Sequence, residues 1–177
     1  MTRNYFLALL AAGFVFLAGC VSPKINVVRN QSTNANNISR IALMPSGGLL
    51  ADSIGIELLK YGFDVVDTNQ VANFLLSDGL SEIEMIQPRN ISKLKEDGID
   101  SVLLVKSVAG YDNKPQSSSI KLLSAETGSI LLGATWQNGH GGAKGSPADQ
   151  DARVDIADAA RQIAKAIGEE LSKSPRK

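Results

Sequence analysis

The chain has one cysteine, one histidine and one tryptophan in 177 residues, and aromatic residues make up only 5% of it. A lone cysteine forms no intrachain disulfide and no cysteine-rich zinc site, and a lone histidine excludes any centre that needs two imidazole ligands. Net charge is missing too. The 18 Lys and Arg residues balance 18 Asp and Glu, so no overall field recruits nucleic acid. No internal repeat is visible, which argues against a solenoid or propeller. What is present, 44% hydrophobic and 20% charged residues, suits one globular domain with an aliphatic core.

The cysteine is informative through its position. Met1-Thr2-Arg3-Asn4 carries one positive charge, Tyr5 to Phe16 is apolar, and Leu17-Ala18-Gly19-Cys20 closes the segment with small residues before a thiol. The apolar run is too short for a membrane span and has the form of a signal-peptide core. Leu17-Ala18-Gly19-Cys20 resembles the bacterial lipobox. That resemblance implies cleavage before Cys20, a diacylglyceryl group on its sulfur and an acyl chain on the new amine. Each buried CH₂ contributes about 0.8 kcal/mol, so three chains hold a protein on a membrane essentially permanently. Val21 stands where an Asp would imply inner-membrane retention, so the expected location is the periplasmic face of the outer membrane. Residues 1–19 are thus read as leader. Residues 20–38, rich in Asn, Ser and Thr without helical periodicity, are read as lipidated cysteine plus flexible tether.

Residues 39–173 then read as one α/β domain, with 174–177 as a tail. Arg40 to Leu43 is a short apolar strand, and Leu50, Ile54, Leu58 and Tyr61 share one face of a helix that Gly62 stops. Phe63 to Asp67 makes a second strand, completing a parallel strand-helix-strand unit. Asp67 or Thr68 caps the next helix, Ser81 with Glu84 forms a capping box, and Ile91 and Leu94 lie on a turn ended by Gly98. Ser101 to Val108 is apolar enough to be covered on both faces. With Ser118–Ser124 and Ser129–Gln137 it forms an antiparallel three-strand meander, Gly128 supplying the hairpin turn. Ser146-Pro147-Ala148-Asp149 opens a single long terminal helix with Ala152, Ile156, Ala159, Ile163, Ile167 and Leu171 on one face. The expected fold is a mixed sheet of about five strands packed with helices.

Arg40–Pro45, Leu58–Val66, Gly98–Leu104 and Ile120–Leu131, in that order behind a lipobox, resemble the core of periplasmic outer-membrane lipoproteins related to the curli secretion channel CsgG. That group includes the Pel export lipoprotein PelC and the lipoprotein activators of penicillin-binding proteins. The connections here are too short for the pore-forming strands of the curli channel, and the span after Cys20 is shorter than the activators' tether. The compact PelC-like form is the nearest match. It implies a non-enzymatic accessory of an envelope export or assembly machine, acting as a homo-oligomer. An activator of a cell-wall synthase and a periplasmic hydrolase or ligand-binding protein are the alternatives.

The residues offer only weak support for catalysis. Ser46-Gly47-Gly48 lies between a strand and a helix, where backbone amides can hold an anion, but it fits neither a Rossmann nor a Walker pattern and reads as a close-packed helix start. Gly139 to Ser146 is Gly-rich before a helix, yet Lys144-Gly145-Ser146 reverses the P-loop order and reads as a flexible loop. His140 within it is a candidate general base with no evident partner. Asp149, Asp151, Asp155 and Asp158 could meet a hard cation, since Asp151 and Asp155 are one turn apart; their plainer role is to complement a helix dipole. Counting by two from Ile130 puts Leu132, Ala134 and Trp136 on one face, and Trp136 belongs either to the core or to a membrane or subunit contact. No catalytic residue, metal or cofactor is expected.

Overall fold

The computed structural model describes residues 20–32 and 38–173 of the 177. The leader 1–19, part of the expected tether and the tail 174–177 lie outside them. The described chain runs β1 (Lys24–Arg29), β2 (Arg40–Leu43), α1 (Gly48–Leu58), β3 (Asp64–Val66), α2 (Thr68–Asp78), α3 (Glu82–Met85) and α4 (Pro88–Glu96). It continues through β4 (Ser101–Ala109), β5 (Pro115–Ser124), β6 (Ile130–Gln137), α5 (Pro147–Ala152) and α6 (Ile156–Ser172). The strands form one sheet in the order β1-β6-β5-β4-β2-β3. β2 lies parallel to β3 and β4, and the β4, β5, β6 meander is antiparallel, as the hydrophobic pattern predicts.

Six strands are present where about five are expected, and the extra one corrects the tether. Lys24–Arg29 pairs antiparallel with β6, Ile25 opposite Trp136 and Val27 opposite Ala134. Ile25 and Val27 pack on the core while Lys24, Asn26 and Val28 face outward, so two apolar residues at period two suffice once a strand edge is there to receive them. Arg29 fastens the far end of the strand, its guanidinium donating to the carbonyls of Glu170 and Lys173 at 3.1 and 2.8 Å.

One face of the sheet is covered along its length by α1 and α6. Leu50, Ile54 and Leu58 of α1 and Ile163 and Ile167 of α6 pack over Ile41, Leu43, Leu103, Val105, Ile120, Leu122 and Leu132. The helices come close because Gly55 leaves no side chain against Leu43 and Gly168 none against Tyr61, where a Cβ would sit 2.5 and 2.6 Å from the nearest atoms. Among the described residues, the opposite face is covered over β2, β3, the start of β4 and the end of β5, where Val71, Leu75, Met85, Ile91 and Leu94 share a cluster with Ala42, Met44, Val66, Val102 and Leu123. Double coverage therefore holds for Ser101–Val105, and Lys106–Ala109 project beyond the helices.

The caps behave as their sequences predict. Asp67 accepts from the Asn69 and Gln70 amides, and Ser81 and Glu84 form a reciprocal capping box, with the Ser81 hydroxyl holding the Glu84 carboxyl below its usual range. Gly62, Gly98 and Gly128 take positive φ at the predicted turns. The single terminal helix is corrected to two. The chain leaves helical geometry at Arg153, and Asp155 restarts it by accepting from the Asp158 amide at 2.9 Å. Asp151 and Asp155 consequently do not share a helical face. Each of the two pieces begins with its own cap.

Candidate anchor site at Cys20

Cys20 is exposed, and the chain that follows it is fixed immediately. The Val21 amide donates to the His140 carbonyl at 2.7 Å and the His140 amide returns the bond to the Val21 carbonyl at 2.9 Å, an isolated antiparallel bridge three residues beyond the ends of β1 and β6. Glycine makes this approach possible. A Cβ on Gly139 would lie 2.1 Å from the Ala152 carbonyl oxygen and 2.6 Å from that of Val21, and one on Gly141 would lie 2.9 Å from Cys20 Sγ. The Gly139–Gly141 backbone thus runs in a crevice between α5 and the residues just after the lipobox. Close backbone approach explains the glycines here, in place of the flexible loop expected from composition.

Two neighbouring loops are locked to this crevice by a buried polar network. Arg153, whose side chain is 2% exposed, donates through Nε and Nη2 to Asp112 at 2.8 and 2.9 Å and through Nη1 to Gln116 at 2.6 Å. The hydrogen bonds from Arg153 hold the Asp112 carboxyl below its usual range, and Asp112 in turn keeps the guanidinium charged. Asp149 accepts from Tyr111 Oη at 2.6 Å and from the Gly145 and Gly141 amides at 3.0 and 3.2 Å. The Tyr111 bond, then the Gly145 amide, lowers the Asp149 pKa to about 2, while the same bond pushes Tyr111 up. Lys144 Nζ lies 5.0 Å from the centre of the Tyr111 ring, and the Arg153 guanidinium 5.2 Å from it. Asn138 completes the support, its amide donating to the Pro115 and Val154 carbonyls at 2.7 and 2.9 Å. This arrangement fixes the segment that follows Cys20 against α5 and the two loops.

The remaining candidates separate. His140 is exposed, and its backbone rather than its ring makes the bridge to Val21. The hydroxyl of Ser146 caps α5 and donates to the Gly141 carbonyl, so it is not presented as a nucleophile. The Ser46 amide, the one an anion would use, already donates to Glu82 Oε1 at 2.7 Å, and a Cβ on Gly47 would meet Ala51 at 2.5 Å. The four aspartates are dispersed: Asp149 in the network, Asp151 exposed, Asp155 as a cap and Asp158 paired with Arg161. Among the described residues no group of three or more His, Cys, Asp or Glu could hold a metal, and no helix is long and apolar enough to cross a membrane. A shallow groove lined by Lys106, Ser107, Ser117, Ser119, Thr135 and Gln137 contains no acid or imidazole to activate a hydroxyl. Trp136 is 0% exposed, with its indole N–H donating to Gln162 Oε1 at 2.9 Å. Of the two places left open for Trp136, the ring occupies the core, beneath α6. Tyr111 and Arg153, missed from the sequence, carry the geometry instead.

No family model and no curated relative matches the chain. Solved structures similar to it include a variant of PelC from Paraburkholderia phytofirmans, a dodecamer. That protein is 12% identical, with 85% of this chain and 99% of that one covered, at a TM-score of 0.49. A second crystal form of the PelC dodecamer scores 0.43 at 12% identity, covering 80% and 97%. The lipoprotein GNA1162 of Neisseria meningitidis is 17% identical, covering 78% of this chain and 99% of its own, at 0.47. Likeness of this degree does not establish a shared family.

Proposed function

We propose that the chain is a lipid-anchored, non-enzymatic accessory of an envelope export or assembly machine, held at the periplasmic face of the outer membrane and working as a homo-oligomer. Membership of the wider group around the curli channel is part of the same proposal. The observation that carries it is Cys20: the residue that closes the lipobox pattern is exposed, and it begins the segment that joins the sheet. Self-association is supported by α1, which is apolar on both sides. Leu50, Ile54 and Leu58 face the sheet while Leu49 and Ile56, with Leu59 just past the helix end, face outward, the pattern of a helix covered twice. A synthase activator working across the cell wall is the weaker alternative, because the bridge at Val21 and the pairing of Lys24–Arg29 shorten the free stretch that would give it reach.

Metabolic labelling with palmitate and membrane fractionation test the anchor. Wild type should take up label and float with outer membrane, whereas Cys20→Ser should lose both and keep its circular dichroism spectrum. A Cys20→Ser protein that still floats with the outer membrane overturns the proposal.

A further inference from the structure

We infer that the end of the domain formed by the Gly110–Lys114 turn and the Gly139–Ser146 loop lies against the phospholipid leaflet that receives the anchor, so that the protein stands on the membrane in one orientation. This rests on the lipid-anchor reading of Cys20. No free residue separates Cys20 from the Val21–His140 bridge, so a glyceryl group on Sγ would emerge beside Gly141. From there the path is short: the Gly141 amide reaches Asp149, Asp149 receives Tyr111 Oη, and Lys144 lies over the Tyr111 ring. Each step is a single hydrogen bond or ring contact, so these groups gather at one end of the domain.

The chemistry of this end suits such a leaflet. Tyr111 is 42% exposed and pairs an apolar ring with a hydroxyl, the type of side chain that settles at a membrane interface, and Val108 is exposed at the adjoining end of β4. Lys144 is exposed and available to lipid phosphates. Asp112 of the first loop and Asp149 at the start of α5 are turned inward, toward Arg153 and toward Tyr111 with the glycine amides, while Asp151 of α5 is exposed. The strand directions set the opposite end apart. Ser39, Asp100 and the Ala125–Gly128 turn gather there, with the Ser39 and Arg40 amides and Lys95 all donating to Asp100 and holding its carboxyl far below the usual range against the effect of burial.

The full lipoprotein, reconstituted into vesicles of phosphatidylethanolamine and phosphatidylglycerol, tests the orientation. Lipidation blocks the Cys20 thiol, so a single introduced cysteine takes a fluorophore at Ala143→Cys or, at the other end, at Thr127→Cys. Quenching by bromolipids should be at least fivefold stronger at position 143 than at 127, and Lys144→Glu with Tyr111→Ser should reduce it at 143. Equal quenching at both positions, in protein whose intact mass shows the acyl groups, overturns the fixed orientation. A mass without acyl groups overturns the anchor reading itself.

Discussion

Replacing Arg153 with Ala would remove the donor that joins the two loops at the anchor end. It leaves Asp112, whose side chain is 17% exposed, and the Gln116 amide oxygen without the guanidinium they share. Breaking a buried ion pair from one side costs about 3–5 kcal/mol, and the partial exposure of Asp112 puts this case near the lower value, about 3 kcal/mol. For a protein of this size each kcal/mol moves the melting temperature by roughly 2–4 °C, so a fall of about 6–12 °C is expected. Arg153→Lys should recover only part of it, because an ammonium cannot make the two parallel bonds to Asp112. Thermal melts of Arg153→Ala, Asp112→Ala and the double variant form a cycle, and the double variant should lose little more than Arg153→Ala alone. A loss below about 1 kcal/mol, or strict additivity around the cycle, would refute the claim that this pair holds the loops together.

Trp136→Ala should cost about 3–5 kcal/mol as a buried aromatic truncation, read as a fall of melting temperature at unchanged membrane association; an unperturbed melt would return the ring to an interface. Gly139→Ala drives a Cβ into two backbone carbonyls and should release the amino-terminal bridge, seen as faster hydrogen exchange at the Val21 amide with the sheet still protected. Asp149 has a folded pKa of about 2 against roughly 3.9 unfolded, so its contribution to stability is present above pH ~4 and is lost as the pH falls toward 2. Acid titration of stability should therefore be shallower in Asp149→Asn over that window, and an unchanged slope would show that the carboxylate is not held by its partners.

What was legible in the sequence was local. Caps and turns such as Asp67, Ser81 with Glu84, Gly62 and Gly128 announce themselves within four residues, and the aliphatic strands β2 and β4 by their apolar runs. Counting by two placed Leu132, Ala134 and Trp136 together correctly. Ile130 fell outside because a bulge near Leu122 and Leu123 buries Leu131 and exposes Ile130. β1 was hidden because it has only Ile25 and Val27 to bury, and its partner lies more than a hundred residues away. The break at Arg153 carries no Gly or Pro, though the Asp155 and Asp158 spacing was a usable cap signal. Cys20 itself was singled out by its sequence, but its surroundings were illegible for the same reason as β1: Cys20 meets Gly141, and Arg153 meets Asp112, only after the sheet has closed.

That distance along the chain also orders events in time. A chain made amino terminus first presents residues 20–29 before β6 and His140 exist, so neither β1 nor the Val21 bridge has anything to pair with. Under the proposed lipidation, that interval is when an acyl transferase or peptidase would find the segment unpaired. Once residues 130–140 arrive, the sheet gains its last edge and the cysteine is drawn in beside Gly141. In the lipoprotein proposed above, modification and folding would then follow one another without a separate signal: the strand that closes the fold would also end the interval in which Cys20 can be processed.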